Sequence, residues 1–451
     1  MSAPGYPSYR ESVVDWNVTV PTHWTDTRLR FVARFNPSKT EVAGRDRHEE
    51  VSFIPMEAVG DDGTIRLDQT REVGDVEAGY TYFADGDVTF AKITPCFENG
   101  KGAVMRGLKG GIGFGTTELT VARPTSGTSA DFLHWLFTSP PFRKLGEGSM
   151  YGAGGQKRVP DDFVRDFRLA LPSFTEQVAI AAFLDSETGK IDALVEAQRR
   201  LIALLKEKRQ AVISHTVTKG LNPAAPTKNS GIEWLGEVPA HWEVKPLKHL
   251  VHLKSGGTPS KDRLDYWSGD IPWASAKDLK SDELVTTQDF LTQAAVDDGA
   301  ASISPAGSIF VLVRGMMLAR TFPVCQAMVP MAINQDLKAI TGRNGTSNAF
   351  IGWLLRGTAA ETLNRLDEAG HGTKALRMEA WLSMPVPLPP TEEQTAIVEA
   401  VKSSTGSIDA LIEEAVVGIR LLSERRAALI SAAVTGKIDV RRIIPEQADA
   451  A

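Results

Sequence analysis

One stretch of this chain occurs twice, and that duplication limits the possible folds more than any other feature. Leu171–Gly220 returns from Leu388 onward, at an offset of 217 between Thr188 and Thr405, Ile191 and Ile408, Arg209 and Arg426, and Thr218 and Thr435, with no gap. About half of the paired positions are identical. A unit that occurs only twice is a duplication rather than a solenoid, which needs at least three stacked repeats.

Each copy reads as one long helix. Pro172 and Pro389–Pro390 precede the copies, and capping boxes are available at Ser173–Glu176 and, one register along, at Thr391–Gln394. Apolar residues recur every three or four positions: Ile191, Leu194, Val195, Leu201, Ile202, Leu205, Val212 and Ile213, then Ile408, Leu411, Ile412, Ile419, Leu422, Leu429 and Ile430. Gly220 and Gly436 supply the stops. A helix from Thr175 to Thr216 would be about 60 Å long, more than an ordinary domain needs, and its narrow stripe requires a partner stripe. The other copy is the economical partner, so the pattern predicts a two-helix coiled coil acting as a spacer.

The duplication reaches beyond the helices. Ser12, Trp16 and Val20–Trp24 (VPTHW) reappear at offset 218 as Ser230, Trp234 and Val238–Trp242 (VPAHW). The chain is therefore two half-copies, each a mixed domain followed by a long helix, and the middles of the two domains barely align. One frame carrying two different recognition surfaces is the implied design.

Within the first domain, Trp24 to Phe35 reads as a strand, as do Val51–Met56 and Gly86–Lys92, with turn residues around them. Asp131–Leu145 has helical spacing. Leu221–Asn229, with its prolines, is a linker. In the second domain Gly269–Lys277 reads as strand to loop, and Ser308–Arg314 as a buried strand ending in a charge.

The 451 residues carry a formal net charge of −6, so no global basic footprint marks a nucleic-acid binder, although local basic loops bind phosphate whatever the total. No apolar run approaches the length of a membrane span. Cys96 and Cys325 stand far apart without metal-ligand neighbours, which excludes a disulfide framework or zinc module and fits a reducing cytoplasm.

Catalytic motifs are missing. There is no phosphate-binding GxxxxGK[ST] loop and no Asn/Asp-Pro-Pro-aromatic tetrapeptide of adenine methyltransferases. Gly111–Gly115 lacks the strand-turn-helix setting of a dinucleotide loop. Asp336–Lys338 lacks the second carboxylate of a nuclease and reads as a strand edge, while His23 and His241, each beside a Trp, read as packing residues. The remaining signal is polar and basic. In the first domain it comprises Lys92, Asn99 and Lys101 around a turn, then Gln156, Lys157 and Arg158 in a glycine-rich loop. In the second it comprises Ser255, Thr258, Lys261, Lys277 and Arg314, then His371, Thr373 and Lys374 in a loop at the equivalent place. Glycine lets backbone approach phosphate closely, while Lys, Arg and Gln contact phosphates and base edges.

These residues resemble the specificity subunit of bacterial type I restriction-modification systems over essentially the whole length. The resemblance rests on the duplicated helices with Thr-Gly-x-Ile-Asp-Ala-Leu, on the two VPxHW openings, on Gly86–Lys101 and Gln156–Pro160, and on Gly269–Trp273, Val313–Met316, Ile333–Asp336 and Gly372–Lys374. It implies an α+β chain of two mixed target-recognition domains separated by an antiparallel pair of long helices with internal pseudo-twofold duplication. The expected division is 1–172 and 230–388 for the recognition domains, 173–220 and 389–440 for the helices, 221–229 for the linker and 441–451 for a frayed tail. It further implies a non-catalytic, cytoplasmic subunit reading a bipartite site in double-stranded DNA, with the helices setting the gap. Two modification subunits and the restriction subunits would be its partners, and S-adenosylmethionine, ATP and Mg would bind to those partners, with no cofactor or metal in this chain and no membrane. A scaffold whose coiled coil joins protein partners without reading DNA is the alternative, separable by whether both domains carry a basic face.

Overall fold

The structure, a computed structural model, describes residues 4–153, 155–368 and 373–441. The chain is α+β, with two long helices, Phe174–Lys219 and Thr391–Val434. It divides into two compact units, Met1–Gln198 with Val417–Ala451, and Arg199–Val416, so each long helix contributes one half to each unit. Arg441 is the last described residue, and the expected frayed tail beyond it lies outside the described residues.

In the first unit the opening half of the first long helix lies along the closing half of the second, with Arg426 Nε 3.0 Å from Asp192 Oδ1. In the second unit the same two positions meet with their helices exchanged, Arg209 Nε lying 2.8 Å from Asp409 Oδ1. Within each unit the two helix halves therefore run antiparallel. The buried seam is narrower than the sequence stripe. Ile180, Leu184, Thr188, Ile191 and Val195 are buried, whereas Leu194, Leu201 and Leu411 are exposed. At 3.6 residues per turn, a buried row following i, i+4, i+8, i+11 leaves its immediate neighbours on the open flank.

The helix starts are tied to their domains in duplicate. Buried Gln177 accepts from Ser129 N at 2.8 Å and donates to the Pro172 carbonyl at 3.0 Å, and Gln394 repeats both bonds with Ser347 and Pro389. Ser173 Oγ caps the Glu176 amide at 3.4 Å. The expected capping box is not completed, because Glu176 Oε2 pairs with His23 Nε2 at 2.9 Å, as Glu393 does with His241 at 2.8 Å. Thr391 is itself the first helical residue of the second copy, which ends at Val434, six residues before the expected boundary.

The first domain holds two four-stranded sheets. In one, Glu50–Ile54 runs parallel to Ile112–Gly115, flanked by Thr70–Glu72 and Thr81–Ala84. In the other the order is Ala33–Phe35, Leu119–Pro124, Val88–Ala91, Gly102–Val104. The second domain repeats both arrangements: Trp267–Ala274 is parallel to Met331–Ile333, and Val251–Ser255, Leu337–Gly342, Ile309–Leu312 and Val324–Ala327 follow the order of the second sheet, with Glu283–Leu284 added at its edge. Phe132, Phe142, Trp24 and Ile430 share the main core of the first unit, and Phe310, Trp381, Trp242 and Ile397 that of the second.

Three local expectations differ from what is observed. Trp24 to Phe35 is not one strand: a helical turn, Leu29–Val32, separates Thr25–Arg28 from Ala33–Phe35 and buries Leu29 and Val32, three residues apart. Asp131–Leu145 is two helices, Ala130–Thr138 and Pro140–Ser149, broken because Pro140 lacks an N–H and drives Ser139 into extended backbone. Leu337–Gly342 is an interior strand, not an edge, which places Lys338 within the sheet. Gly111–Gly115, already set aside as a dinucleotide loop, contains a buried strand, and a Cβ at Gly113 would sit 2.5 Å from the Phe83 ring.

Candidate nucleic-acid interface

In the first domain two separated stretches of basic residues are joined by backbone pairing. Tyr151 and Arg158 form an antiparallel bridge, and Arg158 also bridges Ile93. The Thr94 amide donates to the Lys157 carbonyl at 2.9 Å, and the Val159 amide to the Lys92 carbonyl at 2.9 Å. The glycine-rich loop is therefore a hairpin laid beside the strand end that carries Lys92. Gly152, at φ +137°, permits the close pairing, since a Cβ there would lie 2.6 Å from the Gln156 carbonyl. Gly154 lies outside the described residues.

Gln156 and Lys157 are exposed at the hairpin tip. Arg158 is turned onto Glu118, with Nη2–Oε1 at 2.7 Å and Nε–Oε2 at 2.9 Å, and this guanidinium holds the Glu118 carboxyl below the usual carboxylate range. Asn99 is exposed, whereas Lys101 donates to the Met56 carbonyl at 3.2 Å and is withdrawn from the hairpin.

The second domain gathers its candidates in two places. The edge strand Arg314–Gly315 pairs with Lys374–Leu376, which pairs with Leu366–Glu368. This three-stranded ribbon corresponds to the first domain's bridge and hairpin. Arg314 is exposed, Thr373 half-buried, and Lys374 bonded to Glu368 at 2.7 Å. His371 lies outside the described residues.

The other place is an open cleft of about 760 Å³ lined by Lys261, Trp267, Trp273, Ser275, Lys277 and Phe290, among others. Lys277 pairs with Asp289 at 2.7 Å, which raises its pKa, and Lys261 is exposed. The neighbouring 255–258 segment is held from both sides. Trp273 Nε1 donates to the Gly257 carbonyl at 3.0 Å, Thr258 bonds Gln335, and Ser255 Oγ accepts from Lys338 Nζ at 2.6 Å. The Asp336 carbonyl accepts from Val313 N at 2.8 Å, which links this segment to the Arg314 ribbon.

Exposed cations and amide side chains in this setting suit a polyanion with readable polar edges. Among the described residues there is no group of His, Cys, Asp and Glu able to hold a metal, and no helix long and apolar enough to cross a membrane. Sequence reasoning passed over Glu118, Asp289 and the Trp267–Trp273 pair. An acid on a basic surface carries no local signal, and the two tryptophans come together only through strand geometry, 5.2 Å apart and edge-on.

Residues 239–415 match the family described as "Type I restriction modification DNA specificity domain". The chain is 44% identical over 163 residues to the type I restriction enzyme EcoEI specificity subunit of Escherichia coli, an alignment that spans 36% of this chain and 27% of that protein. The fold matches a chain from a solved type I R-M system with a TM-score of 0.73, at 17% identity, over 92% of this chain and 98% of the other. It matches the HsdS subunit from Thermoanaerobacter tengcongensis with a TM-score of 0.55, also at 17% identity, over 93% and 98%.

Proposed function

We propose that this chain, similar in sequence and fold to specificity subunits of type I restriction-modification systems, is the DNA-reading, non-catalytic subunit of such a system. Its two domains would each read one half of a bipartite target in double-stranded DNA. Adenine methylation and ATP-driven translocation and cleavage would belong to modification and restriction subunits assembled on it, together with S-adenosylmethionine, ATP and Mg.

The observation that carries this reading is the ribbon built twice on the same frame. Tyr151 and Gln156–Arg158 beside Ile93, and Leu366–Glu368 with Lys374–Leu376 beside Arg314, put basic side chains at the same position of two domains whose sequences differ. One scaffold with two differing polar surfaces suits two different half-sites, since base identity is read by side chains while phosphate contacts set register. Methylome sequencing of cells with and without the chain tests it. A bipartite methylated motif that disappears with the chain is the expected result, and an unchanged methylome overturns the reading.

A further inference from the structure

The two domains share an acidic turn beneath the basic ribbon. In the first domain the Glu118 amide donates to Thr116 Oγ1 at 3.2 Å, and in the second the Asp336 amide donates to Asn334 Oδ1 at 3.2 Å. The following amides, Leu119 and Leu337, return to the Thr116 and Asn334 carbonyls at 3.2 and 3.3 Å. The Glu118 carbonyl accepts from Lys92 N at 2.9 Å and the Asp336 carbonyl from Val313 N at 2.8 Å. The Lys92 and Val313 carbonyls accept in turn from Val159 and Leu376, on the basic ribbon. A carboxylate therefore occupies the same rung of the same ladder in both domains.

A structural ion pair does not account for both. Arg158 binds Glu118, but Arg158's place opposite the strand end is taken by Ala375 in the second domain, where Ala375 pairs with Arg314 as Arg158 pairs with Ile93. Among the described residues the Asp336 carboxylate has no side-chain hydrogen bond or ion pair, and the residue is half-buried. The acid is present where its arginine is not. On a surface facing phosphates an acceptor-only group is repelled, and it is stabilised only where a donor meets it. In the major groove those donors are the exocyclic amino groups of cytosine and adenine.

We propose that Glu118 and Asp336 are specificity-determining carboxylates, each accepting a hydrogen bond from a base amino group, cytosine N4 or adenine N6, in its own half-site. In the first domain Arg158 positions Glu118 by turning its Nε and Nη2 onto the carboxylate. The inference rests on the DNA-reading function proposed for the chain.

The test uses the full chain assembled with its modification subunits, in cells and purified, with methylome mapping and binding to oligonucleotides substituted one base pair at a time. Glu118→Gln is expected to lower discrimination at one base pair of one half-site by about 10- to 100-fold, leaving the other half-site unchanged. Asp336→Asn is expected to do the same in the opposite half. The charge-retaining Glu118→Asp and Asp336→Glu variants shift the carboxylate and should also lose discrimination at that base pair, which a charge needed only for folding would not. Unaltered base preference in all four folded variants, in a complex whose methylation still depends on the chain, overturns this inference alone. Methylation that is independent of the chain overturns the function beneath it.

Discussion

The two domains share strand order, helix anchors and the acidic turn, yet they differ at equivalent buried and surface positions. Where the first domain buries His134 on its helix, the second has Gly352 against Ile309. Where the first ties Arg158 to Glu118, the second has Ala375, and Asp336 has no such partner among the described residues. The second domain joins its sheet edge to the long-helix pair through a three-way network, Asp282 bonding both Arg209 and Arg356. The frame tolerates these exchanges because its strand ladder and its helix seam rest on backbone pairing and shared apolar positions. Side chains outside the ladder and seam are then free to diverge.

The strongest way to break the comparison is through the duplicated tryptophans. Trp24 and Trp242 are almost fully buried, Trp24 against Gly436 and Trp242 against Gly220. Trp24→Ala and Trp242→Ala are each expected to cost about 3–5 kcal/mol, measured by denaturant unfolding. Hydrogen exchange should show the loss in the substituted unit, and equal exchange changes in both units would contradict the division into units.

A somewhat smaller effect separates the units by acidity. Burial pushes the His134 imidazole down to about 4 from its ordinary value of 6.5. Between those values the unfolded chain binds a proton that the folded unit does not, so stability is intact above about pH 6.5 and falls as pH drops toward 4. At about 1.4 kcal/mol per unit, the loss approaches roughly 3 kcal/mol at pH 4. Unfolding measured across this range should show His134→Leu flattening the dependence of the first unit. Gly352 contributes no such titration to the second.

The surface difference predicts effects on separate half-sites. Lys157→Ala with Arg158→Ala should weaken DNA binding of the assembled complex by about 1–3 kcal/mol for each base-edge hydrogen bond removed, with Lys374→Ala acting on the other half-site. Footprints and affinities on targets altered in one half at a time check this. If all variants bind as the parent does, the ribbons are solvated turns.

The smallest difference lies in the helix seam. Arg426→Met removes a half-exposed pair with Asp192 and is expected to cost about 0.5–1 kcal/mol. Arg209→Met should exceed it, because Arg209 binds both Asp409 and Asp282. Thermal melts of the two variants rank them, and an equal cost would mean that the Asp282 network adds nothing.

The long helices were legible in the amino-acid order because helical periodicity and capping are local: apolar residues three and four apart, prolines ahead and glycines behind place Phe174–Lys219 and Thr391–Val434 to within a few residues. The duplicated VPxHW openings were legible for the same reason, as short contiguous strings. The kinship of the domain middles was not, because strand neighbours are chosen across long separations. Ala33–Phe35 pairs with Leu119–Pro124, and Val251–Ser255 with Leu337–Gly342, through backbone bonds that constrain side-chain identity only weakly. The basic residues could be picked out one by one, but not their roles. Lys101 and Lys157 look alike in the string, and packing sends one to the Met56 carbonyl while leaving the other at a hairpin tip. Glu118 and Asp336 gained their meaning last, since equivalence between two turns is a property of the ladder in three dimensions. Local interactions are written in neighbouring residues, whereas the surface that meets a ligand is composed by tertiary pairing of distant ones.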